Sequence, residues 1–224
     1  MNFTSRIAFV ILITFTLFGC ATPKSVHVDY TKRVSTIKTI GILAPDITYY
    51  DVSLGGVREK NDKASEQANS NLVDALKAEL SSRGFEVKLI TRDGDLKQSL
   101  DEIAGLFSLI AVSYHKHVLS DENADIFPHK VESFDYSVGP LDNILDARKV
   151  DALILIDGMG RDSAMFVTGG MVILTALVDR TGELLWYEKY TGIKGHFVAY
   201  DIRDAKDVRK AINKMFQKLP EARP

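Results

Sequence analysis

The densest set of side chains able to hold a metal is His115-Lys116-His117, with Asp121, Glu122, Asp125 and His129 downstream. Imidazole and carboxylate are the ligand types that zinc and similar ions take. The spacing argues against a shared ion. On a helix that continues past Tyr114, the rings of His115 and His117 project about 200° apart, and only an extended segment would align them. A solvated helix end and a polar loop explain the same residues, so no metal is expected, and His115, His117 and His129 stand as the candidates of an alternative metal- or ligand-binding role. Gly158-Met159-Gly160 follows an apolar run as a dinucleotide loop would, but Ser163 holds the third glycine place and no helix pattern follows directly. Asp101-Glu102 and Asp121-Glu122 are adjacent carboxylates of the kind that face water. The chain has no Walker-type glycine loop, no serine nucleophile elbow and no closely spaced cysteine pair. These residues predict no catalytic constellation, no enzyme and no cofactor.

The one residue whose chemistry the sequence does point to is Cys20, the only cysteine of the chain. Arg6 precedes an apolar run, Ile7 to Phe18, relieved only by Thr14 and Thr16. Such a run rises roughly 18 Å as a helix, short of the ~30 Å hydrocarbon core, which marks a secretory signal rather than a permanent span. It ends in Leu17-Phe18-Gly19-Cys20, which resembles the lipobox of bacterial lipoproteins, with a small residue directly before the acylated cysteine; Phe18 departs from the small or aliphatic residue usual there. The resemblance implies a signal peptide over 1–19 and a covalent lipid on Cys20. Ala21 stands where members kept in the inner membrane usually carry Asp, implying the periplasmic face of the outer membrane. Several acyl chains anchor such proteins effectively permanently.

Processing removes Arg6 from the 28 basic residues, leaving 27 against 30 acidic ones, with the signs interspersed. A nucleic-acid partner is therefore not expected. With 46% apolar residues and no repeat, the remainder reads as one globular domain. Residues 20–33 read as a lipidated, flexible tether, 34–219 as the domain and 220–224 as a tail.

Within the domain, Ile37 to Ala44 ends at Pro45 as a buried strand. Residues 46–60 read as a loop. Asn61 or Asp62 is placed to cap a helix whose apolar stripe runs Ala68, Leu72, Ala75, Leu76 and Leu80 and ends at Gly84. Phe85 to Ile90 reads as a strand. A second helix carries Leu96, Leu100, Ile103, Phe107, Ile110, Ala111 and Tyr114. A short helix over Leu141 to Ala147 leads into a central strand, Ala152 to Ile156. Val172 to Val178 and Leu184 to Tyr190 flank Asp179-Arg180-Thr181-Gly182 as a hairpin, and a last helix runs from Asp204 to Leu219. The order predicts a single α/β (α+β) domain, a mixed sheet of about five strands including the C-terminal hairpin, with three main helices packed on it.

Ile40 to Pro45, Arg83-Gly84-Phe85-Glu86-Val87, Val150 to Ile154 and Thr181-Gly182-Glu183-Leu184-Leu185-Trp186 together resemble a group of periplasmic lipoproteins sharing the α/β fold of the curli secretion lipoproteins and the TolB amino-terminal domain. That resemblance implies a docking or assembly module. No spare pair of long alternating strands exists to line a pore. Two segments have the residue types of contact surfaces: Tyr49-Tyr50 with Gly55-Gly56-Val57-Arg58 combine aromatics, flexible backbone and an arginine, with tyrosines that merely cover the sheet edge as the equal alternative, and Ala164 to Val167 is either an apolar contact loop or the start of a buried strand. The expectation is a non-enzymatic accessory that docks onto another envelope protein, with self-assembly into a ring as a further alternative.

Overall fold

The computed structural model describes residues 25–119, 127, 129–130, 133–163, 170–193, 200–217 and 219. The signal, Cys20 and the apolar loop Ala164 to Val167 lie outside them. Helix α1 spans Tyr30–Val34, β1 Thr39–Leu43, β2 Thr48–Val52, β3 Arg58–Lys60, α2 Asp62–Ser82, β4 Glu86–Ile90, α3 Lys97–Tyr114, α4 Asp142–Arg148, β5 Ala152–Ser163, β6 Gly170–Val178, β7 Leu184–Ile193 and α5 Ala205–Phe216. A π-helical turn, His115–Leu119, extends α3. The mixed α/β domain and the hairpin match expectation. The sheet, however, has seven strands rather than about five, because the expected loop over 46–60 folds as β2 and β3.

β5 is the axis. Its first residues pair in parallel with β1 (Ile40 opposite Ala152, Ile42 opposite Ile154), and its last ones in parallel with β2 (Thr48 opposite Met159, Val52 opposite Ser163). Pro45, which cannot donate to a ladder, sits between these two segments of one edge. The first segment is flanked by β4 and the second by β3. On its other side β5 pairs with β6, and β6 with β7, all antiparallel.

Alternation along β5 sends Ala152, Ile154 and Ile156 into one core with α1, α2 and α5, whose centre is Trp186 against Phe216 at 5.1 Å between rings. Leu153 and Leu155 enter a second core with α3 and α4, where Tyr114 and Phe107 close on Tyr187 at 5.2 and 6.4 Å. Both faces are covered there. Helix ends follow local chemistry: the Asn61 side chain accepts from the Ala64 N–H, and Gly84 takes φ 87 after α2, with the Phe85 N–H donating to the Leu80 carbonyl. In the β6–β7 turn Gly182 has φ 81, and a Cβ there would strike the Gly139 carbonyl, so only glycine fits.

The tether ends earlier than the sequence suggested. The Tyr187 N–H donates to the Ser25 carbonyl and the His27 N–H to that of Leu185, each at 2.9 Å, so the chain joins β7 from Ser25. Tyr30 and Val34, one helical turn apart, are buried. Arg33 then binds Asp179 at 2.7 Å, Thr181 at 2.6 Å and Glu183. Among the described residues no helix is long and apolar enough to cross a membrane.

Candidate functional site

The hairpin formed by β2 and β3 grows out of the helix-capping chemistry beneath it. The Asn61 N–H donates to the Tyr49 carbonyl at 2.9 Å, the Tyr49 N–H to Ser65 Oγ at 2.9 Å, and Asn61 Nδ2 to Asp51 at 2.7 Å. Gly160 lies opposite Tyr49 across the β2–β5 ladder, and a Cβ on it would come within 2.5 Å of the Tyr49 ring. The absence of that atom is what lets the ring lie flat on the sheet. Over the ring sits the Arg203 guanidinium, 4.6 Å from its centroid, held by Asp201 at 2.6 Å and Asp162 at 3.3 Å. The hydrogen bonds that Arg203 donates to Asp201 raise the Arg203 pKa, and burial raises that of the Tyr49 phenol. The pair is a cation on a neutral ring, and it clamps the hairpin root.

Above that root the chain turns at Ser53–Val57. Gly56 has φ 80 and its N–H donates to the Ser53 carbonyl at 2.9 Å, while Ser53 Oγ accepts from the Val57 N–H at 3.2 Å. This turn presents Leu54, 67% exposed, and Val57, 60% exposed. Two apolar side chains on a hydrogen-bonded turn form a small, ordered contact surface, with exposed Arg58 beside them.

The structure sorts the five candidate residues. Gly55, Gly56 and Arg58 are exposed, and Tyr50 is half-buried across from Lys60. Tyr49 is corrected: it is 2% exposed and packs in the core, because adjacent strand residues point to opposite faces and only one of Tyr49-Tyr50 can face outward. Val57, within the expected Gly55-Gly56-Val57-Arg58 segment, is exposed; Leu54 was missed, although its apolar character beside Gly55-Gly56 was the available signal. Missed too were Leu106, Leu109 and Val112, exposed on the outer side of α3.

The histidines do not converge. His115 lies 3.1 Å from Lys189 Nζ, a cationic neighbour unsuited to a metal ligand, and half-burial lowers the Lys189 pKa. The His117 ring packs on Phe127 at 4.6 Å, and Phe127 stands 6.1 Å from His129. Among the described residues no group of three or more His, Cys, Asp or Glu could hold a metal; Asp121, Glu122 and Asp125 lie outside them. Gly158 and Gly160 are strand residues rather than a phosphate loop: a Cβ at 158 would strike the Val172 carbonyl of the neighbouring strand. Asp101 is engaged by Lys97 at 2.5 Å and Glu102 by Gln98 at 2.9 Å, both on the surface of α3.

No protein-family model matches the chain, and no curated protein sequence matches it. Solved structures similar to it include the PelC dodecamer from Paraburkholderia phytofirmans in space group P6, at 12% identity and a TM-score of 0.39, covering 91% of this chain and 95% of that one. A singly substituted PelC dodecamer from the same organism, in space group C2, is 10% identical with a TM-score of 0.37, covering 87% and 92%.

Proposed function

We propose that the chain is a non-enzymatic lipoprotein, acylated at Cys20 on the periplasmic face of the outer membrane, whose domain docks onto another envelope protein through the β2–β3 hairpin. The exposed Leu54 and Val57 carry the docking reading, because their turn is held by its own hydrogen bonds and by the Tyr49–Arg203 clamp below. A surface already ordered loses little entropy on binding. The anchor reading rests on the apolar run and the Leu17-Phe18-Gly19-Cys20 sequence. Anchoring keeps the domain at high effective concentration near an envelope partner.

The test is in-cell crosslinking of the tagged, full-length protein, with mass spectrometry of what copurifies. A single envelope partner is expected, lost in Leu54→Asp/Val57→Asp and diminished in Cys20→Ser. An unchanged partner set in the tip variant would refute the docking site. Crosslinks only between copies of this chain would replace the foreign partner with self-assembly.

A further inference from the structure

The outer faces of the helices differ in charge, and one of them stands where the anchor enters. Helix α5 lies along β7, with Phe216 on Trp186. Its exposed positions carry Lys206, Arg209, Lys210 and Lys214. Its acids are spent at its own start: Asp204 Oδ1 accepts from the Lys206 N–H at 2.7 Å, and Asp207 accepts from the Asp201 N–H at 3.0 Å. Beyond the first turn the helix therefore shows only positive charge, in a chain whose formal net charge is −2. Lys210 and Lys214 reach over the rings of Tyr200 and Tyr190, 6.0 and 5.9 Å from their centroids, at the β7 border. Lysine with tyrosine is the pairing that membrane–water interfaces favour.

The same border receives the amino-terminal chain. Ser25 accepts from the Tyr187 N–H, and Val26 bridges Trp186 antiparallel to β7, so the described chain begins at the β7 border. Cys20 is five residues earlier, at most about 17 Å away when fully extended. An acyl group on Cys20 thus keeps the β7 border, where Ser25 bonds, within one short step of the lipid.

We infer that the α5 face, Lys206, Arg209, Lys210 and Lys214, is the membrane-facing side of the domain and binds the anionic phosphate headgroups of the bilayer that the Cys20 lipid enters. The inference rests on the acylation proposed above and adds an orientation: α5 and β7 lie toward the membrane, and β3, a different border of the sheet from β7, lies farther from it. Each basic side chain near an anionic surface strengthens its occupancy roughly fivefold, so the four together are worth on the order of 10³-fold.

Cys20 is the only native cysteine, so in the acylated protein an introduced cysteine is the sole free thiol. The full-length lipoprotein would be inserted into phosphatidylcholine vesicles containing about 30% phosphatidylglycerol, bearing a fluorophore on Gln217→Cys or on Glu59→Cys; a headgroup-attached quencher then reports proximity. Quenching several-fold greater at 217 than at 59 is expected. It should fall to the level of position 59 in the K206S/R209S/K210S/K214S variant, in pure phosphatidylcholine and in about 0.5 M salt. The four side chains are exposed, so an unchanged melting temperature checks that the variant is folded. Mass spectrometry of the Cys20 peptide from the same sample separates the two readings. An unacylated Cys20 overturns the anchor and this orientation with it, whereas an acylated Cys20 with equal quenching at both positions, or quenching indifferent to lipid charge, overturns the orientation alone.

Discussion

The two ends of β5 are built from one continuous strand and have opposite characters. Residues 152–156 are buried on both faces, between β1 and β6 and between the layers of α2–α5 and α3–α4. Beyond Ile156, Gly160 is buried under Tyr49 on one face, while Asp157, Met159 and Arg161 on the other face are half-buried or exposed. The first end supplies stability and the second supplies a platform for the hairpin. The division teaches that a strand can be extended beyond one of its two cores when a parallel neighbour, here β2, pairs with it and a clamp, here Arg203 over Tyr49, covers the remaining face.

The sharpest way to break that comparison is to truncate both ends. Leu155→Ala removes a fully buried side chain and should cost about 2–5 kcal/mol, whereas Met159→Ala should cost about 1 kcal/mol or less; equal shifts in chemical denaturation would erase the distinction. Next in size, Gly160→Val forces atoms into the space of the Tyr49 ring and should cost about 1–3 kcal/mol. Its mark would be accelerated amide exchange in β2, with α4 and β7 unaffected. Arg203→Met removes the cation over Tyr49 and should cost about 0.5–1 kcal/mol, again with faster exchange confined to β2 and β3.

The covered end also sets an acid response. Arg33 holds the Glu183 carboxyl below its usual pKa by hydrogen bonding. A carboxyl depressed in the folded state adds stability above its unfolded pKa and loses it as pH falls through the folded value. Stability should therefore decline on acidification below the ordinary glutamate range, and Arg33→Ala should flatten that part of the pH profile while leaving hairpin exchange unchanged. Smallest of all is the effect of Leu54→Asp/Val57→Asp on folding, expected within about 0.5 kcal/mol by thermal melting, although the same variant should abolish docking.

The contrast also explains what could be read from the residues. Ala152 to Ile156 is an unbroken apolar run because two cores select it, so the central strand was legible. The remainder, Asp157 to Ser163, holds two glycines and charged residues because one face is open and the other must admit Tyr49 and the neighbouring backbone; it looks like a loop. β2 and β3 were hidden for the same reason, since Thr-Tyr-Tyr-Asp-Val and Arg-Glu-Lys bury few side chains and their pairing partner, the far end of β5, was itself unreadable. The tether boundary slipped because Tyr30 and Val34 are two apolar positions in a polar stretch, too few for a visible period. At the hairpin, the glycine pair and Arg58 marked the contact region, but choosing between Tyr49 and Tyr50 required knowing which face the sheet buries.

Strand order then becomes a matter of path. In the order β3-β2-β5-β6-β7 four inter-strand steps, about 19 Å at the usual spacing, separate the hairpin border from the β7 border. Arg203, two residues before α5, shortcuts that path by stacking on Tyr49 of β2, so a force that tilts α5 is passed to the hairpin root through one side chain as well as through the sheet.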